Sequence, residues 1–398
     1  MPPMTTPADT TRKTAAVILG SGITVLGTLR CLREAGVPCY VLDGAGTVVK
    51  RSRWYRPGPS PSPSPTPESL RAWLARLPED RVVLFPCSDE WAVVTAEMMQ
   101  GGADGTRASI CSPEALATFV DKARFADAAR AASVPTPWTR TMDAPEDLDE
   151  IAEDRFASVF LKPRDSQSFM AAYGVKALRV ASRDEARERL PDFDAAGGGC
   201  VAQEYIPGPP TDHYFIDGFV DRHGTIRALF ARRRLRMYPP PFGNSSLMES
   251  VPLAEVEPAT ESLARLLESL EYRGMFSAEF KKDPRDGVFR LLEVNPRAWW
   301  YVAFAADCGV DVCGMAYRDA LGHPVETIDA YATGRQCVYP YMDFYAVLAE
   351  RGRNPIRLAA WAVRCLGSDQ PVFRWSDPWP GVRGSLGIVL GRAAKPWR

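Results

Sequence analysis

The sequence predicts an α/β layer on the N-terminal side followed by a strand-rich α+β body. Three observations carry that expectation. Up to about residue 118, short wholly apolar runs alternate with stretches of helical periodicity. From about 120 to 325 the pattern changes to strand-like runs separated by turn-forming residues. A chain of 398 residues and 43.8 kDa also exceeds what one compact core usually holds, so two or three domains are expected.

Taken in order, residues 1–14 are polar and rich in Pro and Thr, too poor in apolar content to pack, and read as a frayed tail. AAVILG from Ala15, then LGTLRCLREAG, then VPCYVLD ending at Asp43 give strand, helix and strand, a βαβ unit on a parallel sheet. Residues 56–67 alternate Pro with small polar residues, which suits extended polyproline II. A helical pattern (ESLRAWLARL) and a buried strand (RVVLFP) continue the alternation beyond it, so a surface loop inside the first domain is preferred to an interdomain linker. SVFLKP, KALRVA, GCVAQEYI, YFIDGFV, TIRALFARRR, GMFSAEFKK and VFRLLEVN predict a mixed sheet with few helices from about 120 to 325. The last seventy-odd residues hold an amphipathic helical stretch broken near Pro355 and a Trp/Pro-rich tail.

Composition removes several classes of function. Forty-eight Lys and Arg against forty-nine Asp and Glu leave a net charge of −1, so no chain-wide field draws the molecule to nucleic acid or an anionic membrane. Nine cysteines without a CxxC pair, beside three histidines, argue for a reducing compartment and against a zinc site. The start lacks the apolar stretch of a signal peptide, and no apolar run reaches the roughly 18 residues of a membrane span. A cytoplasmic location is the expectation.

Gly20-Ser21-Gly22 and Gly27 follow the first strand and open a helix, where glycine lets a ligand approach the backbone. As a dinucleotide fingerprint the run is imperfect, because Val25 occupies the third glycine position, although Asp43 lies about 20 residues on. An NAD-dependent oxidoreductase and a plain βα turn both remain open on this motif alone.

The most informative segment runs from Gly274 to Trp300. Asp283-Pro-Arg-Asp-Gly287 is turn chemistry between two strand-like runs, so the segment reads as a hairpin. With its centre at Asp286, Glu279 lies directly across from Glu293, and a centre at Arg285 still keeps both on one face. Asn295 shares that face by the period of two. Two carboxylates and an amide oxygen together repel one another unless a cation sits among them, and such hard donors suit Mg²⁺ beside phosphates. Upstream, Lys162 ends a buried strand just before Pro163, where a lysine is costly without an anion. Lys122 starts a helix, and Gln203-Glu204-Tyr205-Ile206 ends a strand whose backbone can offer donor and acceptor to a planar base.

Over roughly residues 15–325 these pieces, in this order, resemble the ATP-grasp superfamily of carboxylate-amine ligases, and within it the branch related to D-aspartate ligases and carbamoyl-phosphate-synthase-like ligases. The resemblance implies an ATP-grasp fold with a Rossmann-like pre-ATP-grasp domain at 15–118. It further implies an ATP-grasp domain at 119–325, divided into a small lid subdomain (about 130–205) and a larger one (about 206–325), then a C-terminal extension at 326–398. It implies ATP phosphates on Lys122 and Lys162, adenine on the hinge of Gln203, Glu204, Tyr205 and Ile206, and ribose on Asp212. Mg²⁺, with Mn²⁺ as a substitute, would sit on Glu279, Glu293 and Asn295, and Arg297 would meet the acyl-phosphate or the substrate carboxylate. Arg234 and Arg236, with Arg232 on the same face by alternation, are placed near the γ-phosphate and second substrate.

One departure stands out. The family carries a glycine-rich loop after the strand lysine, whereas this chain has no glycine between Lys162 and Gly174, leaving Ser166, Ser168 and backbone amides to contact phosphate. The implied partners are small carboxylates and amines, amino acids among them. A protein that keeps the fold for nucleotide sensing without turnover is the rival reading. Trp299 and Trp300 wall the substrate pocket or pack in the core, and the extension covers the cleft, builds a homodimer interface or packs on its own domain.

Overall fold

The computed structural model describes residues 13–382 apart from 103–104, 165–168, 170–171, 174–176, 196–198, 240–242 and 352–353. Most of the expected N-terminal tail, the end of the C-terminal extension, Ser166 and Ser168 therefore lie outside the described residues. The first layer is a parallel four-stranded sheet in the order β2-β1-β3-β4: β1 (Ala15–Leu19), β2 (Cys39–Val41), β3 (Val82–Pro86) and β4 (Thr106–Arg107). The run at β1 is continuously apolar because both faces are covered: Ala16 and Ile18 enter one core, Ala15, Val17 and Leu19 another. The helices of this layer are α1 (Gly22–Glu34), α2 (Thr47–Lys50), α3 (Pro67–Leu74) and α4 (Asp89–Gln100).

Gly20 and Gly22 take positive φ of 129° and 75° in the turn into α1, a conformation that side chains resist. Gly27 has a different task. A Cβ there would stand 3.1 Å from Val302 Cγ1, so the glycine lets α1 close on α9 (Val302–Asp307). The Pro-rich stretch lies along β2 and α3, with Val41 bridged to Pro57 and the Trp73 indole donating to the Pro59 carbonyl at 2.6 Å, which agrees with the loop reading.

The single mixed sheet expected over 120–325 is instead two separate sheets, and every strand pair named in them is antiparallel. α5 (Pro113–Val120) and α6 (Lys122–Ala131) lead into the smaller one, β5-β8-β6-β7, built from β5 (Thr139–Met142), β6 (Val159–Pro163), β7 (Leu178–Arg179) and β8 (Cys200–Glu204), with α7 (Arg183–Ala195) against it. Leu148, Phe156, Leu161 and Phe193 belong to a core of its own. The larger sheet runs β13-β12-β9-β10-β11-β14. It comprises β9 (His213–Val220), β10 (Ile226–Tyr238), β11 (Asn244–Val251), β12 (Gly274–Lys282), β13 (Phe289–Asn295) and β14 (Gln336–Val338). One face packs Ile216, Ala231, Phe276 and Ala278 with α8 (Glu257–Ser269). The other packs Phe219, Phe230 and Met275 with α1, α9 and α10 (Val312–Ala320) in one shared core.

The segment after residue 326 is built into this body. β14 extends the large sheet along β11, and α11 (Pro340–Arg351) and α12 (Pro355–Gly367) follow, the latter capped by Asn354. Further on, the chain reaches back to α1. The buried Arg30 guanidinium donates to Asp377 at 3.1 Å and to the carbonyls of Pro371, Val372 and Asp377, and Ser52 also donates to Asp377. Among the described residues no helix is long and apolar enough to cross a membrane.

Candidate active site

The hairpin β12–β13 sets Glu279 directly opposite Glu293, and Ser277 opposite Asn295, as a turn centred on Asp286 predicts. Nearer the turn, however, Phe280 pairs with Leu291 and Lys282 with Phe289, one residue out of that register. A bulge at Leu292 makes the correction; without it Glu279 would face Leu292 and Glu293 would turn to the other side. The turn itself is held by Asp283, which is fully buried, accepts from Arg285 and forms an ion pair with Arg290. Hydrogen bonds from Arg285 hold its carboxyl down to about 2.

Alternation places Asp217, Arg232, Arg234, Ser277 and Glu279 on the face opposite Ile216, Ala231 and Ala278. Glu279 Oε1 accepts from Arg234 Nη2 at 3.0 Å and lies 2.8 Å from His213 Nδ1. Burial pushes the Glu279 carboxyl up, but Arg234, His213 and Lys162 outweigh it and hold the group ionised well below the usual carboxylate range. Burial also lowers the His213 imidazole, against the pull of Glu279. Asn295 donates to Glu293 at 3.3 Å, and the Glu293 carboxylate is exposed. The donors at this spot are therefore two ionisable carboxylates and an amide oxygen, an all-oxygen set that fits a hard divalent cation.

Arg297 donates two bonds to Asp89, 2.6 and 3.2 Å, and one to Asn295 Oδ1 at 3.2 Å. Asp89 opens α4 at the carboxyl end of β3, so the first layer contributes directly to this site. Sequence reasoning passed over Asp89; its signal was its place just after a parallel strand, where open α/β sheets bind ligands. His213 and Lys281 were missed as well. Asp43, the acid of the dinucleotide reading, is paired with Lys50 at 2.9 Å.

Arg232 and Arg234 share the site face, but Arg236 does not follow them. The register of β10 slips on both sides of Arg236, and its guanidinium donates to the buried Asp343 of α11 at 2.8 Å. Asp343 also accepts from Ser246 and Trp361. This corrects the expectation of three arginines side by side at the site: Arg234 bonds Ser245 and Glu279, whereas Arg236 bonds the Asp343 carboxylate that Ser246 also holds. Arg232 donates to Asp217 at 2.6 and 3.3 Å and to Ser277 at 3.4 Å, and its guanidinium lies over the rings of Phe215 and Tyr301. Trp299 is a core residue, and Trp300 stands 6.3 Å from the Tyr339 ring.

The small sheet brings the remaining residues. Lys162 Nζ donates to Gln203 Oε1 at 2.6 Å and lies within electrostatic reach of Glu279. Lys122 donates to the carbonyls of Pro163 and Arg164, so both lysines flank one strand end. At the hinge, Glu204 N donates to Trp138 O, but the reciprocal bond from Trp138 N goes to the Glu204 carboxylate and not to its carbonyl. That carbonyl is thus released from the ladder. Arg285 ties the Glu204 carboxylate to the hairpin turn at 2.7 Å. Tyr205 lies under the Lys281 ammonium, Ile206 is buried, and Asp212 rests on Gly208, whose Cβ would stand 2.2 Å from Asp212 Oδ2.

No family model matches the sequence. The D-aspartate ligase of Enterococcus faecium is 23% identical over 337 residues, 80% of this chain and 79% of that one. Among solved structures, the biotin carboxylase domain of the Hydrogenobacter thermophilus 2-oxoglutarate carboxylase superposes with a TM-score of 0.64 at 15% identity, over 81% of this chain and 73% of the other. The N5-carboxyaminoimidazole ribonucleotide synthetase of Thermus thermophilus gives 0.58 at 19% identity over 81% of each. With the parallel layer, the two antiparallel sheets and the acidic hairpin in place, and a fold shared over about four-fifths of its length, this chain has the ATP-grasp fold.

Proposed function

We propose that the protein is an ATP- and Mg²⁺-dependent carboxylate-amine ligase. The γ-phosphoryl group of ATP passes to a substrate carboxylate, and an amine attacks the resulting acyl-phosphate with loss of phosphate, giving an amide. The observation that carries this reading is the bulged hairpin, which stands Glu279 and Glu293 face to face with Asn295 beside them and Lys162, Arg234 and Arg297 around them. The H. thermophilus structure is a complex with MgADP, ADP and bicarbonate, which supports nucleotide and metal as ligands of this fold.

Glu279, Glu293 and Asn295 are the residues that would hold Mg²⁺, which when bound neutralises charge on the transferred phosphoryl group. Lys162 and Lys122 serve the phosphates as cations at one strand end. The released Glu204 carbonyl and the Ile206 amide meet adenine between Gln203 and Tyr205, and Asp212 meets ribose. Arg297, aimed by Asp89, faces the carboxylate to be activated, while Arg234 fixes the rotamer of Glu279. Small carboxylates and amines are the substrate class, and amino acids fit both roles.

ADP formation screened over pairs of carboxylates and amines tests the proposal. Turnover with at least one pair is expected, and ATP binding without turnover for every pair would favour the sensor reading. In the active pair, Glu293→Gln lowers turnover about a hundredfold or more without changing the melting temperature. ADP release at the wild-type rate in that variant overturns the metal assignment.

A further inference from the structure

The chain-wide charge balance hides a strong local excess. Residues 351–398 hold nine Lys and Arg against two Asp and Glu, and residues 351–368 hold four arginines and no carboxylate. α12 lies within this basic stretch. One stripe of it is docked: Cys365 packs with Leu247, Val338 and Trp361, and Trp361 also meets the Phe344 ring and Asp343. The opposite stripe is open. Ile356, Val363 and Leu366 are 79%, 70% and 87% exposed and, with Ala359 and Ala360, recur at the three-, four- and seven-residue spacing of one helical face.

Arg357 and Arg364, seven residues apart, line one edge of that face and are exposed. Trp375, a few residues on, is 90% exposed. An exposed apolar helical face edged by arginines and backed by a local cationic excess is the chemistry of a helix lying in a membrane interface. A second copy of the same face would instead bring the arginine rows of two subunits together, like against like.

We propose that α12 docks this protein peripherally on an anionic lipid surface, its apolar stripe entering the headgroup boundary and its arginines meeting acidic headgroups. The attachment is interfacial and does not span the bilayer, which agrees with the absence of a spanning helix among the described residues. It is independent of the reaction assigned above.

Flotation of the full chain with vesicles tests it. With about 30% phosphatidylglycerol in phosphatidylcholine the protein floats with the lipid at low salt, and it is released by about 0.5 M NaCl or by vesicles of phosphatidylcholine alone. Val363→Glu with Leu366→Glu, and separately Arg357→Glu with Arg364→Glu, each reduce binding about tenfold or more while the melting temperature stays at the wild-type value. The proposal is overturned if the wild-type chain stays unbound with anionic vesicles at low salt, or if both double variants float as well as wild type. It is also overturned if the apolar stripe proves to be a subunit contact, seen as a wild-type dimer that Val363→Glu with Leu366→Glu converts to monomer, with no vesicle binding by either.

Discussion

The two antiparallel sheets solve the same problem, charge on a strand face, in opposite ways. On the large sheet the three buried arginines of β10 each have a fixed counter-charge: Arg232 with Asp217 and Arg234 with Glu279 inside the sheet, and Arg236 with Asp343 of α11. The small sheet carries its own core and presents Lys162 against a neutral amide, with the opposing Glu279 on the other sheet. One sheet is a preset electrostatic frame, and the other delivers a cation to it. A frame of this kind costs nothing to reorganise when charge develops, which is what electrostatic catalysis requires.

Perturbing the frame should therefore hurt folding, and perturbing the delivered cation should hurt binding. Asp217→Ala strands a buried guanidinium, and a loss of about 3–5 kcal/mol in unfolding free energy is expected by denaturant titration. A loss under about 1 kcal/mol would mean that Arg232 finds other partners and that the frame is not preset. Lys162→Ala should leave stability near wild type but raise the KM for ATP about tenfold or more, read from ADP formation against nucleotide concentration. An unchanged KM would break the contrast between the sheets.

The smallest effect belongs to the hairpin turn. The Asp283 carboxyl is held at about 2, below its usual value near 3.8, so its stabilising contribution is complete above pH 3.8 and disappears as pH falls through about 2. Asp283→Asn should cost about 1 kcal/mol near pH 6, after allowing for solvent screening of its exposed partner Arg285, and progressively less toward pH 2. A stability gap that does not narrow with acid would assign the turn to packing and not to charge.

Much of the fold and of this site was legible because it rests on short-range rules. Period-two alternation and a Pro-Arg-Asp-Gly turn predict Glu279 across from Glu293, a pairing the chain reaches only with the bulge at Leu292, and the wholly apolar run at β1 signalled a strand covered on both sides. Other features depend on deviations that no alternation carries. The bulge at Leu292 and the slips around Arg236 each move a side chain by one residue, which sent Arg236 to α11 when simple counting kept it with Arg234. Asp89 is joined to Arg297 across 208 positions, and no local pattern announces such a meeting. The splitting of one expected sheet into two likewise follows from which strands find each other in space.

The staple between Arg30 and Asp377 has a consequence for how the molecule is made. These residues lie 347 positions apart, and at a synthesis rate of about 5–20 residues per second the first waits roughly 17–70 s on the ribosome for the second. Throughout that interval the outer side of α1 must keep a hydrated guanidinium in water, so the opening layer of the nascent protein stays loosely finished. Its maturation is timed by the emergence of the segment around Asp377, which makes that later-born segment the clasp that completes α1.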